Sequence, residues 1–489
     1  MKWYQHLTWG LIFALSGLAN PARAEFMETQ SSTSICPAQL DAQMSAIRAK
    51  YSNAGRERWG ILVETLTEGD AEGNILYRHN DRQYFVPASN AKLLTTAAAL
   101  HRFDPQFRIR TSVDRTPTGL RVAGRGDPSI GTEQLDRLAR QVAAAGVQQV
   151  EELIVEDGYL RGAPYNPHWQ WEDVQAGYGA PSNSLIFDRN AVPFTLFPEA
   201  LGQPLRVEWD DADEGKRWRV ENQTITVAEG EPEFIEVGRS LTEPILYVSG
   251  QLIAGSPSEP ASVAVVNPGE RFAQKFIQAL ERAGVAVVRT RVTTAATTAA
   301  GEEIAAIESP SISEWVMEVN QFSDNLYAQT LLRLMGAMQD PTNASSQAAG
   351  IAVVQKTLSE LGVEPDSYIL SDGSGLSRLN SISPQALVQT LRAMANSPFA
   401  DIYLNSLPLA GESGTLSSRF GDLTSGEVRA KTGTVSGVSS LSGYIGHSDY
   451  DRLIFSIIVN HSDRSVATQR QAIDEMVTLL TRLQPCSPG

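Results

Sequence analysis

Cysteine and lysine are both scarce in this chain of 489 residues. There are two cysteines, Cys36 and Cys486, near opposite ends of the chain. Two cysteines can form one disulfide at most within the chain, so a fold held together by several disulfides is excluded. Only seven of the 40 basic residues are lysines, and the others are arginines. Because arginine supplies the surface charge, a lysine here is best explained by what arginine cannot do, which is to lose its proton.

Positive charge and metal-ligand patterns are also in short supply. The 56 acidic residues outnumber the 40 basic ones and give a formal net charge of −16. An acidic protein is a poor partner for nucleic acid or an anionic membrane surface, so we expect no nucleic-acid partner. The six histidines are not spaced as metal ligands, and the phosphate-binding glycine spacings are absent. We therefore expect no metal and no cofactor.

Long hydrophobic runs are missing apart from one near the start of the chain. That run, residues 7–19, follows Lys2 and precedes Pro21-Ala22-Arg23-Ala24, which ends in an A-x-A cleavage signal. It is shorter than the ~20 residues that a membrane span requires. We predict a signal peptide over 1–24, no transmembrane anchor, and an exported, periplasmic protein. In that oxidising compartment the two cysteines are expected to pair, and two idle free thiols are the alternative.

The periodicity of apolar residues predicts an α+β fold. Period-two segments predict two strands early in the chain and three late, with helices on both faces of one antiparallel sheet. The strands are expected at 59–66, 75–78, 427–432, 440–445 and 453–460, and helices at 37–51, 268–283, 313–335, 344–361, 383–395 and 465–483. We expect the residues 25–103 and 267–489 to form one discontinuous domain around this sheet. Residues 104–266 form an inserted, mostly β region, expected to contain two domains.

The segment Val86–Thr96 contains the first chemical signal, Ser89 followed three residues later by Lys92. If Ser89 begins a helix, its hydroxyl and the lysine amine share one face. A desolvated lysine can act as the base that activates a serine, because burial lowers its pKa. Amides at the start of a helix can stabilise an oxyanion beside that serine. Ser-x-x-Lys alone is a weak signal, since this spacing also arises by chance.

Two further motifs follow in order, Ser323-Asp324-Asn325 and Lys431-Thr432-Gly433-Thr434. Each has an ordinary structural explanation, a helix cap for the first and a strand end for the second. In the functional interpretation, Ser323 relays a proton and Asn325 holds the lysine and the substrate. Lys431, Thr432 and Thr434 suit a substrate carboxylate, and Gly433 allows close approach to the strand.

Ser-x-x-Lys, Ser-x-Asn and Lys-Thr-Gly in this order resemble the signature of serine β-lactamases and penicillin-binding proteins. Further segments resemble sequence blocks of the class C low-molecular-mass penicillin-binding proteins: Val86-Pro87-Ala88-Ser89, Gly126-Asp127-Pro128, Trp171-Glu172-Asp173, Tyr178-Gly179-Ala180-Pro181, Asp372-Gly373-Ser374-Gly375-Leu376-Ser377-Arg378 and Gly414-Thr415-Leu416. The family inserts two mostly β domains between its first two motifs, which fits the 234 residues from Ser89 to Ser323. Class A β-lactamases lack such an insert.

This resemblance implies a fold, a reaction and a set of partners. The fold is the serine β-lactamase/transpeptidase-like domain, a five-stranded antiparallel sheet flanked by helices. The reaction is removal of D-alanine from peptidoglycan peptides through an acyl-enzyme on Ser89, and β-lactams bind covalently. The family also implies that Asp157 and Arg378 bind the side chain of the peptide's diamino acid.

Three alternatives remain open at this stage. The sequence does not decide between removal of a terminal D-alanine and endopeptidase cleavage of cross-links, because both cut a bond beside D-alanine. A β-lactam or ester hydrolase on the same fold is a second alternative. A non-catalytic scaffold that binds the cell wall is a third, and the intact set of three motifs argues against it. The oligomeric state is not predicted.

Overall fold

The computed structural model describes residues 35–52, 55–66, 73–295, 301–421 and 428–486. The predicted signal peptide lies outside these residues. The described chain divides into two compact units. The first unit is drawn from Met1–Asn90, Asn320–Ser323 and Ser383–Gly489, and the second from Ala91–Val319 and Asp324–Ile382.

Helices and strands occur in both units. The helices are α1 Leu40–Tyr51, α2 Ala91–Arg102, α3 Thr132–Ala144, α4 Ala212–Gly215, α5 Pro268–Arg282, α6 Ile312–Gln321, α7 Asn325–Gln339, α8 Ser346–Glu360, α9 Pro384–Ala395, α10 Ala400–Ser406 and α11 Val466–Leu480. The strands are β1 Arg58–Leu66, β2 Ile75–His79, β3 Arg108–Thr116, β4 Gly119–Ala123, β5 Gln149–Glu156, β6 Ala191–Phe197, β7 Arg206–Trp209, β8 Arg219–Val227, β9 Phe234–Arg239, β10 Ile245–Ile253, β11 Glu259–Ala264, β12 Ala286–Thr293, β13 Glu302–Ser311, β14 Tyr368–Ile369, β15 Ser381–Ile382, β16 Val428–Val435, β17 Val438–His447 and β18 Asp451–Asn460.

The first unit is built on a five-stranded sheet in the order β16-β17-β18-β1-β2. All four neighbouring pairs are antiparallel. The predicted combination of two early and three late strands is therefore confirmed, and so is the α+β class. Strand β16, which contains the Lys431-Thr432-Gly433-Thr434 motif, lies at the edge of this sheet.

Helices cover both faces of this sheet, as predicted. Helices α1 and α11 pack on the face that carries Ile61, Leu441 and Phe455. Tyr444 alternates with Leu441 and Ile445 along β17 and so points to the opposite face. Its hydroxyl donates a 2.6 Å hydrogen bond to the carbonyl of Leu391 on α9.

The ends of the described chain are joined in the first unit. Cys36 and Cys486 form a disulfide with a Cα–Cα distance of 4.9 Å, which confirms the predicted pairing. Beside it, Ile35 pairs with Leu483 in an isolated bridge. The amide of Gln484 donates to the carbonyl of Ile35 at 2.8 Å. The disulfide therefore covalently joins the segments that precede α1 and follow α11.

Replacing Cys36 and Cys486 together with serine should lower the free energy of unfolding. The closed loop spans 450 positions, and the chain-entropy model gives roughly 4–5 kcal/mol as an upper value. The measurement is the urea midpoint of the oxidised protein, the reduced protein and the double variant. The reduced protein should match the variant, and two titratable thiols in the unreduced, denatured protein would contradict the pairing.

The second unit contains three larger sheets. One is mixed and five-stranded, in the order β12-β5-β4-β3-β13, and the helices α3 and α5 pack against it. The other two are three-stranded, β8-β10-β9 and β11-β6-β7, and share a core of apolar side chains. Strands on both sides of residue 266 join the mixed sheet. The domain boundaries drawn from the sequence stay a prediction.

Two sequence-based expectations differ from the structure. The helix predicted over 313–335 is interrupted between α6 and α7, where Ser323 adopts a left-handed φ of 60°. Strands β12 and β13 lie where no strand was predicted. No side chain of β12 is fully buried, so this strand lacks the alternation of buried and exposed positions by which a strand is predicted. Among the described residues, no helix has the length and apolarity needed to cross a bilayer.

Candidate active site

Ser89 lies in a tight turn that leads into α2. The turn is a 3-10 segment, Ala88–Asn90, and Ala88 adopts a left-handed φ of 48°. Such a conformation is costly for a residue with a side chain and persists only where the surroundings impose it. Ala88 and Asn90 are buried, whereas Ser89 is partly exposed. The strained turn thus presents the serine between two anchored neighbours.

Ser440 on β17 holds this turn against the sheet of the first unit. The side-chain nitrogen Nδ2 of Asn90 donates to Ser440 Oγ at 2.6 Å. Ser440 Oγ in turn donates to the carbonyl of Pro87 at 2.7 Å. The sequence analysis missed Ser440, since a lone serine within a strand carries no recognisable signal.

Gly433 on β16 lies directly against the same turn. A Cβ at this position would come within 2.2 Å of Ser440 Oγ and 2.8 Å of the Pro87 carbonyl. Any side chain would force these atoms apart. The glycine of the Lys-Thr-Gly motif is therefore needed for the approach of β16 to the serine turn, as well as for the predicted approach of substrate.

Lys431 and Ser323 meet within the first unit. The fully buried Lys431 donates from Nζ to Ser323 Oγ at 2.8 Å and to the carbonyl of Thr432 at 3.0 Å. The Thr432 hydroxyl donates to Thr415 Oγ1 at 2.7 Å. Thr434, further along β16, accepts a 3.4 Å hydrogen bond from Arg470. The structure thus brings the second and third motifs together through a lysine–serine contact.

Lys92 and Asn325 meet within the second unit. Lys92 is fully buried near the start of α2. Its Nζ donates to Asn325 Oδ1 and to the carbonyl of Ser374, each at 2.6 Å. Burial lowers the pKa of Lys92 from 10.5 to about 7, although the negative charges of Asp372 and Asp324 act in the opposite direction. A substantial fraction of this amine is therefore neutral at neutral pH.

Asn325 is held at both ends of its amide group. Its oxygen accepts from Lys92, and its nitrogen donates to the carbonyl of Tyr178 at 3.0 Å. It is the first residue of α7, and the preceding Asp324 caps that helix by accepting from the amide of Tyr327 at 2.9 Å. Asp324 thus caps the helix, whereas the functional interpretation of the motif concerns its neighbours Ser323 and Asn325.

The Ser374 carbonyl is positioned by a loop built on the buried carboxylate of Asp372. That carboxylate accepts from the indole of Trp169 at 2.7 Å and from the amides of Gly375 and Ser377 at 2.7 and 2.8 Å. A carboxylate with this many donors fixes the path of the backbone around it. The sequence predicts only that this segment resembles the family. It assigns no role to the Ser374 carbonyl, because a main-chain carbonyl occurs in every residue and carries no sequence signal.

Asp157 and Arg378 lie in the second unit with partners of their own. Asp157 follows β5, and its carboxylate accepts from Asn183 Nδ2 and from the amides of Ser184 and Leu185 at 2.7–3.1 Å. Burial raises the pKa of Asp157 despite these donors. Arg378 is partly exposed, and its Nε donates to the Gln170 side chain at 3.0 Å.

The residue types of the three motifs suit the chemistry of a nucleophilic hydrolase. A serine on a strained turn stands three residues before a buried amine whose pKa lies near neutrality, which suits nucleophilic catalysis with a lysine base. A second lysine, paired with a second serine, supplies positive charge. Within the described residues, no group of histidine, cysteine and acidic side chains could hold a metal ion.

Comparison with known proteins agrees with this chemistry. Residues 40–483 match the model of the D-Ala-D-Ala carboxypeptidase 3 (S13) family. A D-alanyl-D-alanine carboxypeptidase of Actinomadura sp. (strain R39) is 33% identical over 89% of this chain and 84% of its own. The penicillin-sensitive carboxypeptidase A of Dictyostelium discoideum is 28% identical over 99% of both chains.

The fold has a close counterpart among solved structures. Penicillin binding protein 4 (dacB) from Haemophilus influenzae superposes with a TM-score of 0.78, covering 90% of this chain and 99% of its own at 21% identity. The fold expected from the motifs is thereby confirmed. With a family match that spans almost all of the described residues, the chain belongs to the S13 family of D-Ala-D-Ala carboxypeptidases, and its resemblance to the low-molecular-mass penicillin-binding proteins is confirmed.

Proposed function

We propose that this protein is a periplasmic serine D-alanyl-D-alanine carboxypeptidase that cleaves peptidoglycan peptides through an acyl-enzyme on Ser89. The observation that carries the proposal is the buried Lys92 amine, with its pKa of about 7, three residues after Ser89. Membership of the S13 family supports the reaction class. The A-x-A signal before residue 25 supports export.

In the acylation step, Lys92 takes the proton of Ser89 as its oxygen attacks the carbonyl of the penultimate D-alanine. A neutral amine has two N–H bonds and one lone pair. Asn325 Oδ1 and the Ser374 carbonyl accept from this amine, and its lone pair is proposed to accept the serine proton. The amides of Ser89 and Thr434 are proposed to stabilise the oxyanion.

The leaving amine of D-alanine needs a proton, and Ser323 is proposed to relay it. Lys431 donates to Ser323 Oγ, so the hydroxyl proton of Ser323 is free to point towards another acceptor. A neighbouring ammonium also makes that hydroxyl a better proton donor, because it stabilises the developing negative charge on the oxygen. Water then hydrolyses the acyl-enzyme by the reverse sequence of proton transfers.

Substrate binding is proposed to rest on the carboxylate of the terminal D-alanine. Lys431 supplies the positive charge, and the hydroxyls of Thr432 and Thr434 supply donors on the same strand. β-Lactams carry a carboxylate beside their amide and are expected to bind in the same way.

Asp157 and Arg378 are proposed to recognise the diamino acid of the peptide. Arg378 is partly exposed and suits the carboxylate of that side chain. The Asp157 carboxylate already accepts from several donors, so its contribution would come through the segment 183–185 that it holds. Arg378→Ala should weaken binding of peptides with the diamino acid and leave simple acylated D-Ala-D-Ala unaffected.

Incubation with defined muropeptides tests the reaction. Uncross-linked pentapeptides should yield tetrapeptides and one equivalent of D-alanine, and cross-linked dimers should yield monomers if the enzyme is also an endopeptidase. Mass spectrometry of the products separates these two outcomes. Ser89→Ala should be inactive on both substrates. Folded wild-type protein that releases neither D-alanine nor monomers would contradict the proposed function.

A further inference from the structure

A strained turn in the second unit aims one arginine at the start of α7. Asp188, Arg189 and Asn190 have φ values of 45°, 54° and 50°, all in the left-handed region that residues with side chains avoid. The turn is held by Asn190, which is fully buried and donates to the carbonyl of Pro181 at 2.8 Å and to Asn183 Oδ1 at 2.7 Å. The fold therefore imposes this conformation on Arg189.

The guanidinium of Arg189 bridges the interruption between α6 and α7. It forms ion pairs with Glu318, near the end of α6, and with Asp324, the N-cap of α7. Its plane also lies over the ring of Tyr327, with 5.2 Å between the guanidinium carbon and the ring centroid. One side chain thus contacts the end of one helix and the first turn of the next.

Asp324 connects this arginine to the proposed active site. Its carboxylate accepts from the Tyr327 amide through one oxygen and pairs with Arg189 through the other. Fixing both oxygens fixes the first turn of α7, and Asn325 is the first residue of that turn. Asn325 in turn binds the Lys92 amine, so the contacts run without a gap from Arg189 to the proposed base.

We propose that Arg189 is a positioning residue for the acylation step, which keeps Asn325 oriented so that its side-chain oxygen holds the amine of the proposed base, Lys92. The proposal rests on the proposed function, since it assigns Arg189 a part in that reaction. Arg189 does not touch the reacting atoms. Misplacement of a catalytic group by about 1 Å can cost ~10²-fold in rate. By fixing the first turn of α7, Arg189 prevents such a shift of Asn325.

A second arginine, Arg110, forms a similar set of ion pairs at the surface, and the two sets differ in how far their carboxylates are exposed to water. Arg110 also bridges two carboxylates, Glu303 and Glu308, but all three side chains are 41–55% exposed. Arg189 itself is 39% exposed, but its partner carboxylates are only 19% and 14% exposed. Ion pairs exposed to water contribute little, whereas a partly buried pair left without its cation is costly. Arg110→Gln is therefore a matched control.

The experiment compares Arg189→Gln, Arg189→Lys and Arg110→Gln by the kinetics of penicillin acylation. Arg189→Gln should lower the limiting acylation rate constant ~10- to 100-fold and leave the dissociation constant of the non-covalent complex nearly unchanged. Arg189→Lys retains the charge without the forked geometry and should recover part of the rate. Arg110→Gln should acylate like the wild type. Thermal unfolding of each variant shows whether any loss merely follows stability.

A double-mutant cycle tests whether Arg189 acts through the cap. Asp324→Asn keeps an oxygen that can accept from the Tyr327 amide and removes the charge that pairs with Arg189. Arg189→Gln should therefore cost much less in the Asp324→Asn background than in the wild type. Additive effects, a wild-type acylation rate in Arg189→Gln, or an effect confined to the dissociation constant would overturn the proposal. Failure of the wild type itself to acylate would instead contradict the proposed function.

Discussion

Replacing Lys92 with arginine should abolish nearly all acylation of Ser89, even though the positive charge is kept. A guanidinium remains protonated under all ordinary conditions, so it cannot accept the serine proton. Burial has brought the pKa of the native lysine to about 7, which is close to the optimum for a base that works at neutral pH. We expect the acylation rate to fall ~10³-fold or more. Ser89→Ala should abolish it entirely.

The pH dependence of acylation provides an independent check on the same base. Only the unprotonated amine can accept the proton, so the rate should rise with pH through about 7 and level off once Lys92 is neutral. Lys50→Arg is a suitable control for the Lys92→Arg substitution, because Lys50 is an exposed lysine paired with Glu475. Its acylation rate should equal that of the wild type. Substantial activity in Lys92→Arg, or a rate that falls as pH rises through 7, would show that Lys92 is not the base.

The sheet of the first unit could be predicted because its strands carry strong local patterns. Strands β1 and β18 combine apolar runs with turn residues at their ends, and their side chains face helices on two sides. The mixed sheet of the second unit is harder to predict from the sequence, since β12 is a largely exposed strand paired in parallel with β5. Parallel pairing joins segments distant in sequence, and no short pattern reports it.

The site could be predicted only as far as side-chain identity carries the chemistry. Ser-x-x-Lys, Ser-x-Asn and Lys-Thr-Gly predicted the residues of both lysine–partner contacts in the structure. The carbonyl of Ser374 and the buried carboxylate of Asp372 could not be assigned roles, because their function depends on the path of the backbone. The same holds for Arg189, whose direction is set by a left-handed turn that Asp188 and Asn190 tolerate but that an arginine disfavours.

Benzylpenicillin should leave a stoichiometric penicilloyl adduct on Ser89 that persists for minutes or longer. The strained amide of the β-lactam places its carbonyl as the peptide does, and its carboxylate suits Lys431, Thr432 and Thr434. When Ser89 opens the ring, the leaving nitrogen stays tethered and blocks the approach of water. Rapid release would need a dedicated base that activates water from another direction, the role accepted for a glutamate in class A β-lactamases.

The structure accounts for the acids next to the Ser-Asp-Asn motif in other ways. Glu318 and Asp324 are both ion-paired with Arg189, and Asp324 also caps α7. The Arg189 guanidinium occupies both carboxylates, and the second oxygen of Asp324 accepts from the Tyr327 amide. Neither acid is therefore poised to activate a hydrolytic water.

Intact-mass spectrometry over a time course should show one added penicilloyl group per chain, and peptide mapping should place it on Ser89. Ser89→Ala should show no added mass, and Lys92→Arg should acquire it far more slowly than the wild type. A slow return to the unmodified mass would give the deacylation rate directly. Several turnovers of penicillin per second, with no adduct trapped, would falsify the carboxypeptidase assignment in favour of a β-lactamase, because only an efficient deacylating base sustains such turnover.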